Sequence, residues 1–206
     1  MSAERAVFLD RDGVLNELVL NPATGDHESP YRAEDVRLAP GAAEAVRLLR
    51  TLGVPLAVVS NQPSAAKGTT DLGSLAAVHD AVMRQLADAG AEVDEVRYCF
   101  HHPAGTDPEL GRACDCRKPA PGLILQAADA LGLDDEALGR SWLIGDSDVD
   151  VVAGRAAGLR TVLVEDPLSA HRRAGAPADA RAHDVLEAAR IVVAAVPVPI
   201  LGEEAR

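Results

Sequence analysis

Ala6-Val7-Phe8-Leu9-Asp10-Arg11-Asp12-Gly13 decides how the rest of this chain is read. Its apolar run has the length and composition of a buried strand, and it ends at two carboxylates and a glycine. Strand side chains alternate in direction, so an extended backbone points Asp10 and Asp12 the same way and Arg11 away from them. Carboxylates held side by side repel unless a cation lies between them. A solvated Asp-x-Asp-Gly turn carries the same letters, so the choice rests on the remainder of the chain.

The same punctuation recurs downstream. Pro55–Val59 reads as a second buried strand running into Ser60-Asn61-Gln62, and Val96–Cys99 as a third. Trp142–Ile144 is a fourth, stopping at Gly145-Asp146, and Thr161–Val164 a fifth. Helical periodicity separates them. The helices are expected from Pro40-Gly41 to Leu52, about Leu72 to Ala89, Pro121 to Leu131, about Val149 to Ala157 and about Asp184 to Val193. Strands alternating with helices predict an α/β fold, a Rossmann-like central parallel sheet with helices on both faces. Such sheets bind ligands beyond the carboxyl ends of their strands, where Asp10, Ser60 and Asp146 all stand. Asn16–Asp35, with Pro22, Gly25 and Pro30, reads as a loop placed to act as a flap. The length suits a single domain over residues 1–206.

The totals narrow the partners. Lys and Arg number 20 against 32 Asp and Glu, a net charge of −12. That balance repels phosphate backbones and anionic lipid, so neither nucleic acid nor a membrane is an expected partner. A small anionic substrate fits only with a metal or local basic groups. Val7–Leu9 is too short for a leader peptide, and the apolar tail Ile191–Leu201 is short and broken by Pro197 and Pro199. The three cysteines, all in one segment, point to reduced thiols in a cytoplasm rather than a disulfide framework, and a monomer is expected.

Asp10, Asp12 and Asp146 offer hard oxygen donors suited to Mg²⁺. A metal there would neutralise a phosphate enough for an anionic carboxylate to approach it. Asp10 could then attack phosphorus, and Asp12 could act as acid and base if its pKa is raised. Ser60 and Lys118 could stabilise the phosphoryl oxygens. Plainer readings exist for each: Ser60-Asn61 as a turn cap, Arg117-Lys118 as a solvated basic pair, Asp150 as a carboxylate bonded to its own first helical turn.

Asp10-Arg11-Asp12-Gly13, Ser60-Asn61-Gln62, Arg117-Lys118-Pro119 and Gly145-Asp146, in that order, resemble the four motifs of the haloacid dehalogenase (HAD) phosphatases. The resemblance covers roughly residues 5–165. It implies a HAD fold with a minimal cap, Asp10 as nucleophile, Asp12 as acid/base, and Ser60 and Lys118 as phosphoryl stabilisers. It also implies Mg²⁺ held by Asp10, Asp146 and the main-chain carbonyl of Asp12.

Cys99-Phe100-His101-His102-Pro103 and Cys114-Asp115-Cys116 offer three thiolates and an imidazole. Read alone, they make either a tetrahedral zinc set or a loop of inert buried thiols. The segment 99–119 resembles the zinc loop of the heptose bisphosphate phosphatases within the HAD family. That likeness implies Zn²⁺ ligands at Cys99, His101, Cys114 and Cys116, with His102 outside the set. It also implies hydrolysis of the C7 phosphate of a heptose 1,7-bisphosphate, with histidinol phosphate or another small sugar phosphate as the alternative substrate. A phosphoaccepting regulatory domain is the non-enzyme alternative, and the Cys/His loop and the Asp-x-Asp spacing speak against it. Arg117, Lys118, Asn61, Gln62 and the Ser60–Pro63 and Glu17–Leu20 regions would contact the phosphorylated sugar. Val14, Phe100, Pro63-Ser64 and Ser147 depart from that subgroup; Ser147 stands where a lysine is usual, and Lys67 is the candidate to replace its charge.

Overall fold

A computed structural model describes residues 3–22 and 24–196. Its elements run β1 (Val7–Leu9), β2 (Val19–Leu20), β3 (His27–Glu28), α1 (Ala42–Arg50), β4 (Leu56–Asn61), α2 (Leu72–Asp88) and β5 (Glu95–Cys99). Then come α3 (Gly122–Ala130), α4 (Asp135–Gly139), β6 (Trp142–Gly145), α5 (Asp148–Ala156), β7 (Arg160–Val164), β8 (Ala180–Ala182) and α6 (Val185–Ala195). Six strands make one sheet in the order β5-β4-β1-β6-β7-β8, and every pairing in it is parallel.

Alternation along the strands builds two cores. Val7, Leu9, Leu56, Val58, Trp142, Ile144, Val162 and Val164 face α1, α2 and α6. Ala6, Phe8, Ala57, Val59 and Leu143 face the other way, against α3, α4 and α5. Burial on both faces is why the strands read as unbroken apolar runs. Each buried Val, Leu or Ile side chain contributes roughly 1.5–3 kcal/mol. The helices follow the same logic: α1 buries Ala42, Ala45, Val46 and Leu49, spaced at helical intervals, and α2 starts where the Asp71 side chain accepts from the Ser74 amide.

The order of strands also positions the site. Leu9 is in register with Val58 on one side and with Ile144 on the other. The carboxyl ends of β1, β4 and β6 are therefore neighbours. The chain steps from β1 outward to β4 and β5, then crosses to β6 on the far side of β1, which opens a crevice at that switch point.

The five expected strands and five expected helices are present, and three features were missed. The segment Asn16–Asp35 holds a two-stranded antiparallel hairpin, β2 with β3, and is not wholly loop. The helix α4 is a single short turn, and β8 is a half-exposed edge strand; neither is long enough to show a period. Strand β4 extends through Ser60 and Asn61, so those residues end a strand rather than form a turn. The tail beyond residue 196 lies outside the described residues.

Candidate active site

At the carboxyl end of β1, the Asp10 amide donates to the Ile144 carbonyl at 2.9 Å, tying the residue to β6. The chain then turns: the amides of Leu15 and Asn16 donate to the Arg11 carbonyl at 2.8 and 3.0 Å. Gly13 is required in this turn. Its φ is +87°, and a Cβ there would lie 2.3 Å from Asp146 Oδ2.

Asp10 is 7% exposed, and its Oδ1 lies 3.0 Å from Lys118 Nζ. Lys118 is itself buried, donates to the Val59 carbonyl at 2.8 Å, and sits 2.5 Å from Asp150 Oδ1. Burial alone would lower the lysine's pKa, but Asp10 and Asp150 outweigh it and keep the ammonium charged. Asn61 fixes the loop that carries Lys118: its amide group donates to the Lys118 carbonyl at 2.9 Å and its oxygen accepts from the Lys118 amide at 3.1 Å.

Asp146 follows β6 and is wholly buried. Neither of its carboxylate oxygens has a hydrogen-bond partner among the described residues. Burial, then Asp150 and Asp10 beside it, push its pKa well up. Asp150 is held by a capping box: the Ser147 amide donates to Asp150 Oδ2 at 3.2 Å, and the Ser147 hydroxyl bonds the same oxygen. One oxygen each of Asp10, Asp146 and Asp150 lie within 4.8 Å of one another. Buried carboxylates left this close, with orphaned oxygens, fit a small hard cation of high charge such as Mg²⁺.

Asp12 behaves differently. Burial would raise its pKa, but Arg11, Asn16 and Gln62 outweigh it and hold the carboxyl below its ordinary value. Arg11 is fully buried and donates to Asp12 through Nε at 3.1 Å and Nη2 at 3.0 Å. Asn16 donates to the same carboxylate at 2.9 Å, and Gln62 at 2.5 Å. The condition stated for Asp12 as an acid, a raised pKa, is thus not supplied by the protein alone: the arginine that points away on the strand curls back to pair with it. The Asp12 side chain is not among the carboxylates that share the cation position, and Asp150 is.

A cavity of about 330 Å³ opens over these groups, lined among others by Asp10, Asp12, Ser60, Asn61, Arg117 and Lys118. Lys67 lies on its wall as well. Gln62 does not; it is 1% exposed, beneath the pocket, bridging Asp12, Arg11 and Ser60. The Glu17–Leu20 region lines a separate surface depression, and Ser29 is the flap residue that reaches the cavity. Sequence reasoning missed Arg172, on the turn Pro167–Arg172 after β7, which lines the cavity 3.5 Å from Asp146 Oδ2.

The second cluster lies on the segment after β5. Cys99, Cys114 and Cys116 have Sγ···Sγ separations of 3.2–3.5 Å, and His101 Nδ1 lies 3.6 Å from Cys116 Sγ and 3.8 Å from Cys99 Sγ. A tetrahedron with metal–sulfur bonds of about 2.3 Å has edges of about 3.8 Å, so the four groups fit a zinc ion after small shifts. The thiols are unbridged. Arg112 Nη2 lies 3.0 Å from His101 Nε2. With a metal on Nδ1 the Nε2 atom carries the proton and this contact becomes donor to donor, so the exposed arginine must swing aside. His102 is outside the set, its Nδ1 accepting from the Ala104 amide.

Carboxylates after β1 and β6, a hydroxyl at the end of β4 and a lysine brought in behind them define a phosphatase-type site on a HAD-like fold. Residues 115–189 match the family model described as HAD-hydrolase-like. A D-glycero-β-D-manno-heptose-1,7-bisphosphate 7-phosphatase of Rhodopseudomonas palustris is 40% identical over 154 residues, 75% of this chain and 79% of that protein. The protein of the same name from Escherichia coli K12 is 35% identical over 156 residues, 76% of each chain. The crystal structure of D,D-heptose 1,7-bisphosphate phosphatase from B. bronchiseptica, complexed with magnesium and phosphate, superposes with a TM-score of 0.73 at 28% identity, covering 92% of this chain and 98% of that one. This chain belongs to that family of HAD-like phosphatases. No helix among the described residues is long and apolar enough to cross a membrane.

Proposed function

We propose that the protein removes the C7 phosphate of a D-glycero-D-manno-heptose 1,7-bisphosphate through an aspartyl-phosphate on Asp10. The observation that carries this reading is the convergence of three buried carboxylates and Lys118 at the ends of β1 and β6, beside a cavity large enough for a sugar phosphate. The named relatives supply the substrate class. Asp10 and Asp146, with the main-chain carbonyl of Asp12, would hold Mg²⁺, and Asp150 stands beside them. Bound there, Mg²⁺ supplies positive charge to the phosphoryl oxygens.

Asp10 forms a bond to phosphorus as the bond from phosphorus to the C7 oxygen breaks, and Asp12 passes a proton to that oxygen. In the second half Asp12 takes a proton from water, the water oxygen bonds to phosphorus, and the Asp10–phosphorus bond breaks. Inorganic phosphate leaves and Asp10 is restored. Asp12 must be protonated in the first half, although its network favours the carboxylate. Lys118 and Ser60 stabilise the phosphoryl oxygens, and Asn61 holds Lys118 in register.

Zn²⁺ at Cys99, His101, Cys114 and Cys116 would close the loop that delivers Arg117 and Lys118; a set of four protein ligands leaves no position open for chemistry. Free thiols suit a reducing cytoplasm, and the chain acts there as a single-domain monomer on a small phosphorylated sugar. The test is Mg²⁺-dependent phosphate release on heptose 1,7-bisphosphates, histidinol phosphate and a panel of sugar monophosphates, with Asp10→Asn as the control. Asp10→Asn should lose turnover while keeping its circular dichroism and melting temperature. Full turnover in that variant removes the nucleophile, and faster turnover of histidinol phosphate removes the heptose assignment.

A further inference from the structure

We infer that Arg172 binds the phosphate that is not transferred, and so makes the enzyme prefer a bisphosphate to a monophosphate. This rests on the bisphosphate reading above. Lys118 reaches the cavity from the β5 side of β1 and Arg172 from the β7 side, because β7 and β5 lie on opposite sides of β1 in the sheet. Arg117 and Lys67 also line the cavity, beside Lys118 on the β5 side, so Arg172 is the one arginine or lysine of the lining on the β7 side, and it differs from Lys118 in burial. The Lys118 side chain is 1% exposed and engaged by Asp10 and Asp150, whereas the Arg172 side chain is 24% exposed, at the mouth. Lys118 therefore serves the buried, transferring end of the substrate and Arg172 the outer end.

The support under Arg172 is heavily hydrogen-bonded while its head is sparsely so. The next residue, Arg173, donates to the carbonyls of Asp146, Val164 and Asp166 and to the Ser169 hydroxyl, and Ser169 is fully buried. That network pins the turn to the end of β6. The Arg172 guanidinium makes one hydrogen bond among the described residues, to the His27 carbonyl at 3.3 Å, and its 3.5 Å approach to Asp146 is too long to be another. Several of its five donors remain available for a planar, two-pronged grip on a phosphate. A cation taken up by Asp146 repels the guanidinium, which favours its turning outward to the substrate. The bond to His27 joins it to β3 of the flap, so a phosphate held by Arg172 lies under the segment that also places Ser29 on the cavity wall.

Calorimetric binding to Asp10→Asn protein in excess Mg²⁺ separates the possibilities, with heptose 1,7-bisphosphate and heptose 7-phosphate as probes. Adding Arg172→Ala should weaken bisphosphate binding about 10- to 100-fold more than monophosphate binding. Arg172→Lys, which keeps the charge and loses the fork, should fall between. Equal losses on both probes, or no loss on either, overturn the assignment. A parent Asp10→Asn protein that binds both probes equally refutes the bisphosphate reading, and the inference falls with it; a parent that prefers the bisphosphate leaves Arg172 alone on trial.

Discussion

Replacing Arg11 with methionine is the sharpest probe of the site's electrostatics. Methionine fills much of the space of the arginine stem and removes only the charged head. In the native chain that head is fully buried, bonded to Asp12 at 3.0 Å, to Gln62 at 2.8 Å, and stacked 5.3 Å from the centre of the Tyr98 ring. Asp12 is only 2% exposed, so bulk water is a poor replacement for the guanidinium. Breaking such a pair from one side leaves an uncompensated buried charge and costs about 3–5 kcal/mol. The pH dependence gives a second check. In the native protein the pKa of Asp12 is depressed, so its contribution is present above the unfolded value of about 4 and is lost as pH falls through the folded value. Without Arg11, burial dominates and the folded pKa rises above the unfolded one. The penalty in Arg11→Met is then largest near neutrality and shrinks, by about 1.4 kcal/mol per pH unit, below the raised value. Urea unfolding at about pH 7.5 and about pH 5, with Mg²⁺ held constant, measures both quantities. Adding Asp12→Asn should recover most of the loss, since neither charge then remains. A loss below about 1 kcal/mol at both pH values, or one that grows on acidification, would refute the reasoning.

Gly13→Ala should weaken Mg²⁺ binding at least about tenfold in a titration, because the new methyl group collides with Asp146 at a backbone angle alanine avoids; unchanged affinity would mean Asp146 is not a ligand. Elemental analysis should find about one zinc per chain, and Cys116→Ser should lose it together with several degrees of melting temperature. Metal-free protein that melts like the native sample would exclude the structural role. Ser141 is fully buried, accepts from the Ala6 amide at 2.9 Å and donates to the Ala137 carbonyl at 2.7 Å, so Ser141→Ala should cost about 1–3 kcal/mol in chemical denaturation without changing catalysis.

Much of the fold is legible because the strands are short apolar runs ended by polar residues, and their periodicity is local information. The hairpin β2–β3, α4 and β8 carry too few residues to show a period; β2 and β3 pair with each other, α4 is capped by Asp134, and β8 is held by its pairing with β7. The capping box at Ser147 and Asp150 shows how one carboxylate can satisfy two readings: it bonds its own helical turn and also faces Lys118 and the cation position.

By itself, the order of side chains along the polypeptide determined a parallel α/β fold with Asp10, Ser60 and Asp146 at strand ends, since alternation and apolar run length depend only on neighbours. Tertiary structure alone decided which group each of them meets. Arg11 pairs with Asp12 because Gln62, just after β4, and Tyr98, in the neighbouring strand β5, wall it in on that side. Arg172 stands by Asp146 because β7 lies next to β6. Coulomb and desolvation energies depend on distance through space and on burial, and neither can be read from separation along the chain.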